Sequence, residues 1–138
     1  MKPSTFISGW YAILPSHILK NKLMSLKRFG IDLVLWRQDN QQLSIFVDRC
    51  PHRGAKLSLG KVKYNQIECP FHGFQFNAQG QCAFAPEFNK PIPGLQAHRF
   101  ETKEAFDMTK ETYDMTKEAY DMTKETYDMV HMIESCHT

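Results

Sequence analysis

Two short segments of the chain, CPHRG at residues 50–54 and CPFHG at residues 69–73, combine residue types that bind metals. Read together they give C-x-H, sixteen intervening residues and then C-x-x-H, with a proline inside and a glycine after each half. Thiolate and imidazole ligands in two matched loops predict a metal centre, and the mixed pairing indicates an iron–sulfur cluster in which His replaces Cys on one iron. The predicted ligands are Cys50, His52, Cys69 and His72.

Structural zinc is the alternative interpretation, since two Cys and two His can also form a tetrahedral site. Zinc sites more often pair C-x₂₋₄-C with H-x₃₋₅-H, whereas each half of this motif contains one Cys and one His. A motif that binds no metal is the remaining alternative. The spacing favours the cluster over both.

The stretch CPHRGAKLSLGKVKYNQIECPFHGFQFNAQGQC resembles the Rieske domain of the ring-hydroxylating and related non-haem iron oxygenases. The resemblance extends from Gly9 to about Pro93. Rieske proteins of the cytochrome bc type carry an extra Cys in each cluster loop, joined as a disulfide. Ala55 and Phe71 stand at those places here, so the resemblance favours the oxygenase or ferredoxin branch.

The resemblance implies a Rieske-type 2Fe–2S cluster with an asymmetric ligand set. Cys50 and Cys69 would hold one iron as thiolates, and His52 and His72 would hold the other through imidazole. Because neutral imidazoles replace two anionic ligands, adding an electron costs less than in an all-Cys cluster. Rieske potentials accordingly lie within roughly −150 to +300 mV.

The resemblance also implies a function, electron transfer as the N-terminal part of a Rieske-type oxygenase. In that family the Rieske domain passes electrons to a mononuclear iron held by two His and a carboxylate in a separate C-terminal domain. We expect that domain to be absent from a chain of 138 residues, which would then be truncated, so whether the chain is itself an enzyme stays open and no catalytic residue is predicted. Asp128, His131 and His137 match the family's D-x-x-H-x₄-H iron motif poorly, and a solvated polar C-terminus is expected there instead.

A stand-alone Rieske ferredoxin, acting as an electron carrier, is the alternative function. In either case the expected partners are an electron-donating reductase or ferredoxin, together with an oxygenase partner domain in the first case. Basic side chains near the cluster loops are candidates to attract an acidic donor, with ordinary solvated surface as the alternative interpretation. They are Arg49, Arg53, Lys56, Lys61 and Lys63.

Charge and cysteine content exclude several other classes of protein. The net charge is +2 and the basic residues are scattered, so no nucleic-acid partner is predicted. Cys82 and Cys136 would be free thiols, which suits a reducing cytoplasm. The first fifteen residues form neither a signal peptide nor a membrane span, so we expect a cytoplasmic protein with no membrane partner.

Short β-prone segments at regular spacing predict a mainly β fold, an antiparallel β-sandwich or small barrel. The resemblance implies that this fold is a Rieske-type β-sandwich. Every predicted strand precedes Gly94. The predicted strands are 9–14, 23–28, 33–37, 43–47, 67–68, 74–76 and 82–84. Three aromatic residues, Phe71, Phe74 and Phe76, are expected to shield the cluster from water.

A four-copy repeat, TKEAFDM-TKETYDM-TKEAYDM-TKETYDM, occupies residues 102–129. Its period of seven predicts a C-terminal heptad-repeat helix, with disorder and an oligomerising coiled coil as alternatives. The domains are therefore predicted as a Rieske domain over residues 1–101, the repeat over 102–129 and a tail over 130–138. Because the repeat offers only an Ala/Thr/Met stripe to bury, residues 102–138 are expected to be dispensable for cluster binding.

Overall fold

The fold is built from β strands, in a computed structural model that describes residues 10–15, 19, 22–105 and 130–134. These residues contain ten strands and one short 3₁₀ turn, Leu57–Leu59. The strands are β1 (Trp10–Pro15), β2 (Leu23–Arg28), β3 (Ile31–Arg37), β4 (Leu43–Val47), β5 (Lys61–Lys63), β6 (Gln66–Glu68), β7 (Gln75–Phe76), β8 (Cys82–Phe84), β9 (Arg99–Ala105) and β10 (Val130–Glu134).

The strands form two antiparallel sheets. The larger sheet has the order β1-β10-β9-β4-β3-β2, and the smaller has the order β5-β6-β7-β8. Neighbouring strands pair antiparallel in both sheets, which confirms the predicted mainly β, antiparallel class. The two predicted ligand loops follow β4 and β6, one from each sheet, so the packing of the sheets determines how the loops meet.

The larger sheet curls so that its two edge strands approach each other. The Nε atom of Arg28 in β2 donates a hydrogen bond to the carbonyl oxygen of Ile13 in β1 at 3.2 Å. Beside it the rings of Tyr11 and Phe29 meet edge to face, with centroids 5.2 Å apart. These contacts cover strand edges that would otherwise present unpaired backbone groups.

Strand β3 separates two hydrophobic cores, because alternate residues of a strand point to opposite faces. Leu33 and Leu35 pack inside the curled sheet with residues of β1, β4 and β9. Val34 and Trp36 pack on the other side, against the smaller sheet and the cysteines of both ligand loops. The run LVLW at residues 33–36 is therefore apolar throughout because both of its faces are buried.

The predicted helix over residues 102–129 is wrong for its first four residues, which lie in β9. Contacts to the neighbouring strands override the weak helical pattern there. Thr102 donates its hydroxyl hydrogen to the carbonyl oxygen of Leu43 at 3.1 Å, and Arg37 pairs with Glu104 at 2.6 Å. Residues 106–129 lie outside the described residues, so the helix prediction for them stays a prediction.

The prediction that every strand precedes Gly94 is also wrong. Strand β9 runs across the predicted boundary between residues 101 and 102, and β10 lies between β1 and β9 in the larger sheet. Ala105 pairs with Val130, so the rest of the repeat connects two adjacent strands of one hairpin. Residues 130–134 thus form a strand, where a solvated tail was expected.

Candidate metal centre

The first ligand loop leaves β4 and closes on itself through two backbone hydrogen bonds. The N–H of Cys50 donates to the carbonyl oxygen of Ala55 at 2.7 Å, and the N–H of Gly54 donates to the carbonyl oxygen of Cys50 at 2.7 Å. Gly54 adopts a positive φ of 79°, a conformation that side chains disfavour, which explains the glycine at this place. The side chain of Arg49 lies directly against Gly54.

The second ligand loop, between β6 and β7, repeats the same closure. The N–H of Cys69 donates to the carbonyl oxygen of Phe74 at 2.8 Å, and the N–H of Gly73 donates to the carbonyl oxygen of Cys69 at 3.1 Å. Gly73 has a φ of 73°. The histidine comes two residues after the first cysteine but three after the second, so two similar backbone frames present their imidazoles differently.

The two loops bring the four predicted ligands into one region with a buried end and an open end. Cys50 and Cys69 are each 2% exposed and share the core between the sheets. His52 and His72 are partly exposed, and their ring centroids lie 5.0 Å apart at an interplanar angle of 82°. His52 also stacks on Phe74, with ring centroids 4.1 Å apart and planes 10° from parallel.

Burial controls the acidity of the first cysteine. The pKa of the Cys50 thiol is raised to about 11, mainly by burial and to a smaller extent by the neighbouring Cys69 side chain. Hydrogen bonds with the backbone of His52 and Arg53 act in the opposite direction. Because metals bind the thiolate, a positively charged metal centre is needed to stabilise two thiolates in this core.

One of the predicted ligands, His72, has a ring nitrogen whose hydrogen-bonding capacity is not satisfied. His72 Nδ1 is buried without a hydrogen-bond partner, and among the described residues only one other buried side-chain polar atom, Trp36 Nε1, shares that condition. A buried polar atom without a partner is costly, so a ligand for this nitrogen is physically expected. The residues present therefore fit a metal group with sulfur ligands at its buried end and nitrogen ligands at its open end.

Structural zinc and a 2Fe–2S cluster require different arrangements of the four predicted ligands. Within the described residues, no group of three His, Cys, Asp or Glu side chains is placed to hold one ion. A tetrahedral zinc site needs four such side chains around one point. A 2Fe–2S cluster has a different requirement, because two ligands bind each of two separate irons.

Asp48, which sequence reasoning missed, fastens the first ligand loop. Its carboxylate is 5% exposed and accepts two hydrogen bonds from Ser58 in the 3₁₀ turn, from the backbone N–H at 2.8 Å and from Oγ at 2.6 Å. Cys50 lies between Asp48 and Ser58 in the sequence, so their contact holds the two ends of the first ligand loop together. The available signal in the sequence was an acidic residue that directly follows an apolar strand and precedes a predicted ligand by two residues.

Gly60 is the second residue that sequence reasoning missed. A Cβ atom there would collide with the carbonyl oxygen of Glu68, the residue before the second predicted cysteine. The missing side chain lets the segment after the 3₁₀ turn approach the second ligand loop closely. No local pattern in the sequence indicates this approach, because it depends on which strand becomes the neighbour.

The aromatic residues expected to shield the cluster divide into two groups. Phe74 and Phe76 are fully buried, whereas Phe71 is 69% exposed and does not pack in the core. Its ring lies 4.5 Å from the ring of His72, at the open end of the site. Of the weak C-terminal iron motif, Asp128 and His137 lie outside the described residues, and His131 belongs to β10.

Comparisons with known proteins match this part of the chain to one family. The family model of the Rieske [2Fe-2S] domain matches residues 9–102. Two curated relatives are oxygenases. The oxygenase component of chloroacetanilide N-alkylformylase from Rhizorhabdus wittichii is 33% identical over 97 residues, which are 70% of this chain and 28% of the relative. Aminopyrrolnitrin oxygenase PrnD from Pseudomonas fluorescens is 35% identical over 89 residues, which are 64% of this chain and 24% of the relative.

Solved structures share the fold. A crystal structure of dicamba monooxygenase with non-heme iron and dicamba superposes with a TM-score of 0.70 at 23% sequence identity, covering 94% of this chain and 33% of that one. The chain thus spans about a quarter of the length of the two curated relatives and a third of the length of the solved protein.

Proposed function

The chain belongs to the Rieske [2Fe-2S] domain family, and on that premise we propose that it transfers single electrons as the Rieske domain of an oxygenase component. Family membership implies a Rieske-type 2Fe–2S cluster as the cofactor. We propose that Cys50 and Cys69 hold one iron and that His52 and His72 hold the other. When bound, the cluster takes up one electron at a time and releases it again.

The observation that carries this proposal is the asymmetry of the site, which has its thiols at the buried end and its imidazoles at the open end. The two thiols are buried in the core, whereas the two imidazoles are partly exposed and the Nδ1 atom of His72 has no hydrogen-bond partner. Electrons tunnel most readily where a centre lies closest to its partner, so the imidazole end is the route of entry and exit. Phe74 and Phe76 are fully buried, and the ring of Phe74 covers one face of the His52 imidazole.

The ligand assignment is tested by metal analysis of anaerobically purified protein. We expect two irons and two acid-labile sulfides per chain, and a Rieske-type paramagnetic signal after reduction. The variant Cys69→Ser should lose both. Cys82 is a matched control, because it is a buried free thiol of the same core that is not assigned as a ligand, and Cys82→Ala should keep the cluster. Equimolar zinc without sulfide would overturn the proposal.

The oxygenase assignment is supported by three curated relatives that are oxygenases or oxygenase components. A stand-alone Rieske ferredoxin would use the same electron step, and the coding DNA that follows the codon of the last residue distinguishes the two. A continuing gene segment that encodes two His and a carboxylate as iron ligands supports the oxygenase. Unrelated sequence there supports the ferredoxin.

The proposed partner is a reductase or ferredoxin that donates electrons, with an oxygenase domain as the acceptor. The described part of the chain contains no helix with the length and apolarity needed to cross a membrane. The free thiol of Cys82 supports a reducing compartment, so we propose that the protein acts in the cytoplasm.

A further inference from the structure

We propose that Phe71, Arg53 and Lys56 form a docking face for an electron-carrier protein whose contact surface is rich in carboxylates. This inference rests on the proposed electron-transfer function and identifies the chemistry of the partner. The three residues belong to the two ligand loops, and they are referred to below as the docking face.

Phe71 supplies the apolar centre of the docking face. Its side chain is 69% exposed although Phe74 and Phe76, which follow in the same segment, are fully buried. An aromatic side chain that becomes buried on binding contributes strongly to the affinity of protein interfaces. With its ring 4.5 Å from that of His72, a carrier seated on Phe71 would lie next to the open end of the site.

A cavity beside Phe71 gives a partner side chain a place to enter. Its volume is about 370 Å³ and both ligand loops line it, with Arg53, Gly54 and Ala55 from the first and Phe71 and His72 from the second. A group that fills this cavity therefore touches both loops at once. Such contact fixes the distance between the carrier and the imidazole end.

The charged residues of the first ligand loop and of the segment that follows it have one sign. Between Arg49 and Ile67 the sequence has five basic residues and no acidic one. Arg53 and Lys56 are exposed, and neither forms an ion pair with any other described residue. Glu68, just beyond this segment, has its carboxylate next to Lys61 Nζ at 3.8 Å and Gln75 Nε2 at 3.2 Å. The docking face is thus positive, and it would steer a carrier of negative charge towards the site.

The step itself is a transfer of one electron. The reduced carrier loses one electron and the cluster gains it, with no bond formed or broken. The role of the docking face is to bring the carrier against His72 and hold it there.

Stopped-flow measurements on the full, cluster-loaded chain test this inference with two protein probes of opposite charge. A reduced plant-type 2Fe–2S ferredoxin, which is acidic and has a lower potential than Rieske centres, serves as the donor. Oxidation of the reduced chain by cytochrome c, which is basic, serves as the comparison. We expect the rate with ferredoxin to fall as salt rises and the rate with cytochrome c to rise or stay constant.

Variants locate the effect on the surface. The double variant Arg53→Gln/Lys56→Gln and the variant Phe71→Ala should each lower the second-order rate with ferredoxin by about tenfold. Lys22→Gln and Tyr64→Ala are matched controls that should leave this rate unchanged. Lys22 pairs with Asp39 at the end of β3 remote from the first ligand loop, and Tyr64 is a 79% exposed aromatic in the β5–β6 turn.

Two outcomes would overturn the inference. One is a ferredoxin rate that the docking-face variants change no more than the controls do. The other is a cytochrome c rate that falls with salt while the ferredoxin rate rises, which would indicate an acidic docking face. Failure of the proposed function is distinguishable, because it would appear as a chain that excess dithionite does not reduce.

Discussion

The contact between Asp48 and Ser58 offers the sharpest test of how the first ligand loop is held. The buried carboxylate accepts both the backbone N–H and the hydroxyl of Ser58. Asp48→Ala removes both acceptors, Ser58→Ala removes only the hydroxyl, and the double variant removes the whole contact. We expect the free energy of unfolding to fall further as more of the hydrogen bonds that hold the loop with Cys50 and His52 are removed.

The size of the loss follows from the number and type of hydrogen bonds. A hydrogen bond to a charged group contributes about 1.5–3 kcal/mol, so Ser58→Ala should cost about that much. Asp48→Ala breaks two such bonds and leaves a partly buried N–H without an acceptor, so about 3–5 kcal/mol is expected. This loss is a large fraction of the ~5–15 kcal/mol by which single domains are stable. The coupling energy of the double-mutant cycle should equal the contribution of the hydrogen bond from the Ser58 hydroxyl to the Asp48 carboxylate, about 1.5–3 kcal/mol.

The assay is the apparent melting temperature of the cluster-loaded protein, measured at one fixed scan rate. At about 4 °C per kcal/mol, Asp48→Ala should lower it by about 12–20 °C and Ser58→Ala by about half as much. Asp32→Asn is the matched control, because its side chain forms only an exposed ion pair with Lys27 at 3.6 Å and should cost under about 1 kcal/mol. Equal melting temperatures for Asp48→Ala and Asp32→Asn would refute this reasoning.

Three further perturbations test other parts of the account. Gly60→Ala should destabilise the protein by about 2–3 kcal/mol, because the new Cβ collides with a backbone carbonyl. In the control variant Gly94→Ala the new Cβ meets no atom within 4 Å, so only its positive φ should cost stability, about 1 kcal/mol. Equal melting temperatures for the two variants would contradict this prediction. Deleting residues 130–138 should give insoluble or cluster-free protein, because β10 joins β1 to β9. Deleting residues 109–129 should change the melting temperature by only a few degrees, because it shortens the connection between β9 and β10 and leaves both strands in place. The opposite ranking in a solubility and iron assay would show that the repeat, not the strand, is needed. His72→Cys should keep a cluster with a lower midpoint potential in a redox titration, because an anionic ligand replaces a neutral one, and an unchanged potential would count against His72 as a ligand.

Local patterns in the sequence were sufficient for part of this structure. The strand over LVLW was predictable because burial on both faces leaves a continuous apolar run. The ligand loops were predictable because Cys, His, Pro and Gly occur within five residues of each other. In both cases the information lies within one short segment.

The remaining features depend on contacts between distant segments. Ser58 becomes the partner of Asp48 only once the first ligand loop has closed, and Gly60 becomes the neighbour of Glu68 only once β5 has paired with β6. The heptad pattern predicted a helix over residues 102–105 because it contains no information on the pairing of β9 with β4 and β10. Tertiary pairing thus decided the conformation where the local preference was weak.

The central claim is that two histidines, together with two cysteines, hold the cluster. Pulsed electron paramagnetic resonance on the reduced protein, produced with ¹⁵N-labelled histidine, measures this directly. The account predicts strong couplings to two histidine nitrogens, one of which disappears in His52→Cys and the other in His72→Cys. A reduced cluster that shows no histidine nitrogen coupling would contradict it.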